Sequence, residues 1–173
     1  MTSLYELTIP FLIKALKSEQ GLLAKTEGVP TSTTFVEGPE QKMWDLGQQI
    51  GISSIHARKI VHELTGKPFA FFKNEEGFSV DELKKQLDET IALLESVKPE
   101  EVDGKESQIV QAMLGQMPDG TPITKPMKAI NYVEGYLKPN VYFHLTTLYD
   151  LLRWKGVPLG KGDYLSAFLV IEQ

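Results

Sequence analysis

The sequence predicts an all-α fold, a four-helix bundle with a small β-hairpin inserted before the last helix, and two observations carry that prediction. Four segments repeat apolar residues at three and four, the spacing of one helical face. A single stretch, Val102 to Lys128, loses that period and breaks into two short apolar runs around a turn. The size agrees: 173 residues suffice for one domain, taken as 1–173, that buries roughly two thirds of its unfolded surface.

The first helix is read from Leu4 to Lys25, through Leu4, Leu7, Phe11, Leu12, Ala15, Leu16, Leu22 and Leu23. Pro10 falls inside it, so the regular helix is expected either to start near Ile9 or to be kinked in its first turns. Gly28 to Gly38 reads as a loop. The second helix is read from Gln41 to Leu64, with Met43, Leu46, Ile50, Ser53, Ala57, Ile60 and Leu64 close together on the wheel. Gly47 and Gly51 weaken it, and Gly66 followed by Pro68 stops it.

Phe69, Phe71, Phe72 and Phe78 follow, and aromatic residues in such a connection are expected to plug the open end of the bundle. Ser79 and Glu82 then spell a reciprocal capping box for the third helix, whose Leu83, Leu87, Ile91 and Leu94 keep the period until Val97. Gln108 to Met117 and Thr121 to Met127 flank Pro118-Asp119-Gly120 as a hairpin. A short helix from Ala129 to Leu137 is expected to stop before Pro139, because Lys138 precedes a proline, and a fresh helix to start at Pro139. That fourth helix ends at Trp154-Lys155-Gly156. The apolar run SAFLVI in the tail is expected to pack back on the bundle or to pair with another subunit.

Composition limits the chemistry. The net charge is −5 with only two arginines, Arg58 and Arg153, which leaves no basic stripe for nucleic acid. Without cysteine there is neither a thiolate nucleophile nor a thiolate metal site. The opening MTSLYELTIPFLIKALKSEQ carries Glu6, no basic start and no small-residue cleavage site, and does not read as a signal peptide. No apolar run approaches the roughly 18 to 20 residues that span a bilayer, so no membrane partner and a cytoplasmic location are expected. Nucleophile elbow, P-loop, dinucleotide fingerprint, H-E-x-x-H and EF-hand motifs are all missing.

What chemistry remains centres on the fourth helix. Val141, Leu145, Leu148 and Leu152 form one apolar line, and His144 lies on the adjacent one with Leu148 and Leu151. Asn140 sits one turn before His144 and Thr147 three residues after, so three polar side chains line up on an apolar surface. Imidazole binds metals and titrates near neutrality. It is equally at home in a core when a neighbour satisfies it. His56 stands at the flank of the second helix's apolar face, and His62 lies opposite that face, at the surface. Glu63, Glu134 and Asp150 read as solvated charges, and Tyr132, Tyr136, Tyr142 and Tyr149 as phenols that reach water with their tips.

The opening SLYELTIPFL, the segment PNVYFHLTTLYDLLRWKGVPLGKGDYL and the acidic third helix together resemble a bacterial family, a domain of unknown function, within the DinB-like or YfiT-like four-helix-bundle superfamily. The resemblance covers nearly the whole chain. It implies a bundle with a long crossover, often a homodimer, and in many members a divalent metal, nickel or zinc, on three histidines. One of those comes from the second helix and two from an H-x-x-x-H on the last. Some members are thiol-dependent transferases or isomerases. In this register His144 corresponds to the second histidine of the pair, the first falls on Asn140, and the second-helix histidine falls near Ile52, a turn before His56.

Three functional readings follow. In the first, a polar pocket around Asn140, His144 and Thr147 binds a small ligand. In the second, His144 and His56 hold a divalent metal for a transferase, hydrolase or isomerase reaction. In the third, the protein is a dimeric structural or interaction protein whose core histidine is structural.

Overall fold

The first amides of a helix have no partner within it, and the three long helices that open the chain each begin where a side chain supplies one. In the computed structural model, which describes residues 2–35, 43–68, 70, 77–117 and 119–169, these helices are α1 (Leu4–Leu23), α2 (Leu46–Thr65) and α3 (Val80–Glu95). Ser3, Asp45 and Ser79 cap them, each in a reciprocal box with Glu6, Gln48 and Glu82. α1 takes in Pro10 and starts at Leu4 rather than Ile9. α2 starts later than the apolar pattern suggested, because the Asp45 carboxylate accepts from Gln48 N at 2.8 Å and nucleates the first turn there. Met43 therefore precedes the helix and is exposed, while Gln41 lies outside the described residues. Gly66 ends α2 with φ 73°, the left-handed cap that glycine adopts without strain.

The hairpin pairs β1 (Ile109–Gln116) with β2 (Pro122–Lys128) in antiparallel register. Pro118 of its turn lies outside the described residues. Met113 faces Thr124 and Gly115 faces Ile123, so Leu114 is an extra residue on β1. This is a bulge, and Gly115 supports it with φ 147°, a region that side chains rarely enter.

Beyond the hairpin the expected break at Pro139 is not there. α4 (Ala129–Tyr132) runs into a π turn, Val133–Leu137, and then into α5 (Lys138–Trp154). Lys138 has helical angles, φ −59° and ψ −48°. Proline has no N–H and its ring crowds the carbonyl four residues back, and a wider π turn just before it takes up both defects without ending the helix. A short α6 (Lys161–Leu165) follows and folds back on α1, where Ser18 Oγ donates to Tyr164 O at 2.6 Å. Phe168 packs against Phe11 and Tyr142, so the described part of the SAFLVI run covers the bundle; Val170 and Ile171 lie outside the described residues.

α1 packs on α3 and α5, and α2 packs on the same two, which leaves α1 and α2 across the diagonal. Arg58 reaches Thr90 and Lys67 reaches Ser96, so α2 and α3 run in the same direction. Lys17 reaches Glu95 and Gln20 reaches Asp88, so α1 opposes α3. Gln49 meets His144 and His56 meets Tyr136, so α2 opposes α5. The order is up, down, down, up, and the link between the parallel pair is a crossover.

The core is built from the predicted faces, Leu4, Leu12 and Leu16 from α1, Leu46, Ile50, Ala57 and Ile60 from α2, Leu83, Leu87 and Leu94 from α3, and Val141, Leu145, Leu148 and Leu152 from α5, with Ile9 of α1 added to them. Each leucine, isoleucine or valine among them contributes about 1.5–3 kcal/mol by leaving water. Phe78 lies across Gly47 and Gly51 of α2, which accounts for two glycines inside that helix. Phe69, Phe71 and Phe72, its expected companions in a plug, lie outside the described residues. Among the described residues no helix is long and apolar enough to cross a membrane.

Candidate functional site

Where α2 and α5 cross beneath β1 they enclose a cavity of about 540 Å³. α2 supplies Ile52, Ile55 and His56, β1 supplies the bulge residues Met113 to Gly115, and the π turn and α5 supply Tyr136, Asn140 and His144. Trp44, just ahead of the Asp45 cap, completes the wall. None of these side chains carries a formal charge.

The π turn shapes the far side. It shifts the helical register before α5, and Asn140 Nδ2 donates to Tyr136 O at 2.6 Å, while the Tyr136 hydroxyl donates to Met113 O. One turn of helix thereby ties α5 to the hairpin strand that roofs the cavity.

His144 is held by a relay that assigns its protons. Gln49 Nε2 donates to Trp44 O at 2.8 Å, and a carbonyl can only accept, so the amide's oxygen is the atom that faces His144. Gln49 Oε1 stands 2.7 Å from His144 Nδ1, which must therefore carry the hydrogen. Nε2 is left with its lone pair. It has no partner among the described residues and is not sealed away from the cavity.

His56 stacks on His144 with ring centroids 6.1 Å apart and planes 27° apart, and Trp44 stacks on His144 at 5.6 Å. Burial holds both imidazoles neutral: it pushes His144 down to about 4, and His56, where His144 and Lys59 add to the effect, down to about 3. His56 Nδ1 is buried and without a hydrogen-bond partner among the described residues.

Of the residues singled out from the sequence, His144, His56, Asn140 and Ile52 meet at this cavity. Thr147 is buried one turn further along α5 and is not on the lining. His62 is exposed, with Nδ1 2.8 Å from Lys67 O, and Glu63 and Glu134 pair with Lys59 and Lys138. Tyr132 is buried rather than wet at its tip. Trp44, Gln49 and the Met113–Gly115 bulge were not anticipated. Gln49 could have been, since Gln49, Ser53 and His56 follow at four and three on one helical face.

A family model described as Domain of unknown function (DUF1993) matches residues 4–165. The chain belongs to the DUF1993 family. No curated protein matches it. It is similar in structure to a DinB family member protein from Shewanella denitrificans, with a TM-score of 0.69 at 25% identity over 94% of this chain and 91% of that one. DUF1993 is thus a DinB-like domain.

The DinB-like resemblance implies a metal on three imidazoles, and the donors of this DUF1993 chain do not make that set. In the register that resemblance implies, the other two positions fall on Asn140 and near Ile52, and Asn140 is already turned to Tyr136 O. His144 retains Nε2, and His56 approaches it face to face. Among the described residues no group of three or more His, Asp or Glu side chains is placed to hold a metal ion.

Proposed function

We propose that this protein binds a small organic ligand in the cavity between α2, α5 and β1, with His144 and His56 as its polar contacts. One observation carries the reading: two neutral imidazoles, one with a defined tautomer, and the Asn140 amide border a space of about 540 Å³ that is otherwise apolar and aromatic. Cavities of that size lined by apolar groups around a few placed polar atoms are the usual form of a small-molecule site. The test is a ligand screen by protein NMR with side-chain ¹⁵N detection of the imidazoles. Compounds that shift both His56 and His144 signals support the reading, and a collection of drug-sized compounds that shifts neither defeats it.

A second reading keeps the metal. Two neutral imidazoles on one cavity favour a divalent ion such as nickel or zinc, and their face-to-face stacking and the missing third donor among the described residues oppose it. Metal content of untagged protein, compared with His144→Ala, separates the two: stoichiometric metal that is lost in the variant supports the metal reading, and metal-free protein that still binds ligand removes it. The homodimer implied by the resemblance finds support in the exposed Phe143 and Leu114, and gel filtration tests it.

A further inference from the structure

From the proton positions in the cavity wall we infer that the ligand bound there carries a neutral hydroxyl, on an apolar and preferably aromatic body, which donates to His144 Nε2. The inference rests on the ligand-binding reading above and specifies its chemistry.

Three features select this class. The first is charge. Among the described residues the lining holds no lysine, arginine, aspartate or glutamate, and both imidazoles are neutral, so a carboxylate or phosphate would lose its water without meeting a cation from them. An ammonium would meet no carboxylate, and Lys59 stands near enough to His56 to oppose a further positive charge.

The second is the direction of the hydrogen bonds. Trp44 O, Gln49 and His144 form a chain in which every donor is assigned, and it terminates on a bare acceptor at His144 Nε2. The Tyr136 hydroxyl has given its hydrogen to Met113 O and can now only accept. A ligand group that meets these two atoms must donate, and the remaining N–H of Asn140 calls for an acceptor, so a hydroxyl, which does both, suits the wall better than a ketone, ether or ester, which only accepts.

The third is His56. Its buried Nδ1 has no partner, and the ring offers its other nitrogen as donor or acceptor according to tautomer. A hydroxyl serves either form, since it donates one bond to His144 and can accept or be shared with His56. A simple N–H donor serves only one of them. Trp44, stacked on His144 and 45% exposed, gives the flat body a surface to lie against at the cavity's edge.

The probes are naphthol, methoxynaphthalene and naphthoate, which share one aromatic body and differ only in the polar group, titrated calorimetrically at pH 7 into the full chain and into His144→Phe. Naphthol should bind about tenfold more tightly than methoxynaphthalene, the worth of one satisfied hydrogen bond to a buried acceptor. His144→Phe, its fold checked independently by circular dichroism, should abolish that preference, and a folded variant that still prefers naphthol overturns the bond to His144 Nε2. Equal affinity for naphthol and its ether in the native chain overturns the hydroxyl while leaving the pocket standing. Tightest binding of naphthoate overturns it in favour of an anion. If none of the three binds, the pocket reading falls and the hydroxyl falls with it.

Discussion

The histidine pair and Glu19 are buried polar groups against the same stretch of α2, and what surrounds them differs. His144 is 4% exposed, gives its Nδ1 hydrogen to Gln49 and turns its other nitrogen to open space. Glu19, from α1, is completely buried, and neither carboxyl oxygen has a hydrogen-bond partner among the described residues. Ser53 lies between them: its hydroxyl donates to Gln49 O at 3.3 Å, and it is near enough to Glu19 to favour the carboxylate slightly without bonding to it. Burial drives both groups to the neutral form, which lowers the two imidazoles and raises Glu19 well above the usual carboxylate range. A shifted proton affinity therefore does not mark a site by itself. A fixed partner on His144 and adjoining space beside both rings distinguish the histidines; among the described residues Glu19 has neither.

The largest expected effect is on stability against pH, where the two regions act in opposite directions. Folding lowers the histidines from an ordinary value of 6.5 to about 4 and about 3, so below about pH 6.5 the unfolded chain takes up protons first. Stability should fall with acid at up to about 1.4 kcal/mol per pH unit for each ring, ceasing only where the folded rings themselves protonate. Glu19 does the reverse. Its stabilising share is complete below its unfolded value of 4.5 and is lost as pH rises through its raised folded value. Urea unfolding from pH 4 to 9 should show a flattened acid limb in a His56→Phe/His144→Phe double variant and a flattened alkaline limb in Glu19→Gln. Limbs unchanged in both would show that neither group is held neutral.

Next in size is the relay. Gln49→Ala removes the acceptor of a buried imidazole N–H and should cost about 1–3 kcal/mol. Gln49→Glu should instead place a carboxylate 2.7 Å from His144 and raise its protonation midpoint towards neutrality, read from imidazole ¹⁵N shifts. A His144 that titrates identically in Gln49→Glu and the native chain would break the distinction drawn between a held histidine and a merely buried one.

These differences were only partly legible in the chain. The Ser79–Glu82 cap, the Gly66 stop and the buried faces of the four helices follow from local rules, and the structure reproduces them. Pro139 was misleading for a local reason as well: the bias at the residue before proline is a preference, and Lys138 keeps helical angles where the π turn at Val133–Leu137 makes room for the proline ring. The site was harder to read. Asn140 and His144 are one turn apart and visible together, but Met113 to Gly115 reach the cavity through strand pairing, and no periodicity reports that. Gln49 resembles a solvated glutamine until its two partners are known, and Glu19 sits among polar neighbours Ser18 and Gln20 that gave no hint of a core position.

The smallest effect concerns α2, which borders both regions. Gly51 lies between Gln49 and Ser53, and a Cβ built there would meet Phe78 Cε2 at 3.5 Å, an ordinary contact with no backbone in the way. Gly51→Ala should therefore stabilise the protein by roughly 0.5–1 kcal/mol, by removing glycine's excess freedom in the unfolded chain and gaining one contact. The gain should appear equally on the acid and alkaline limbs, because it alters no ionisable group. A gain confined to one limb would mean that α2 yields locally when that limb's group ionises, so that the histidine pair or Glu19, whichever it is, is coupled to the helix and not only buried against it.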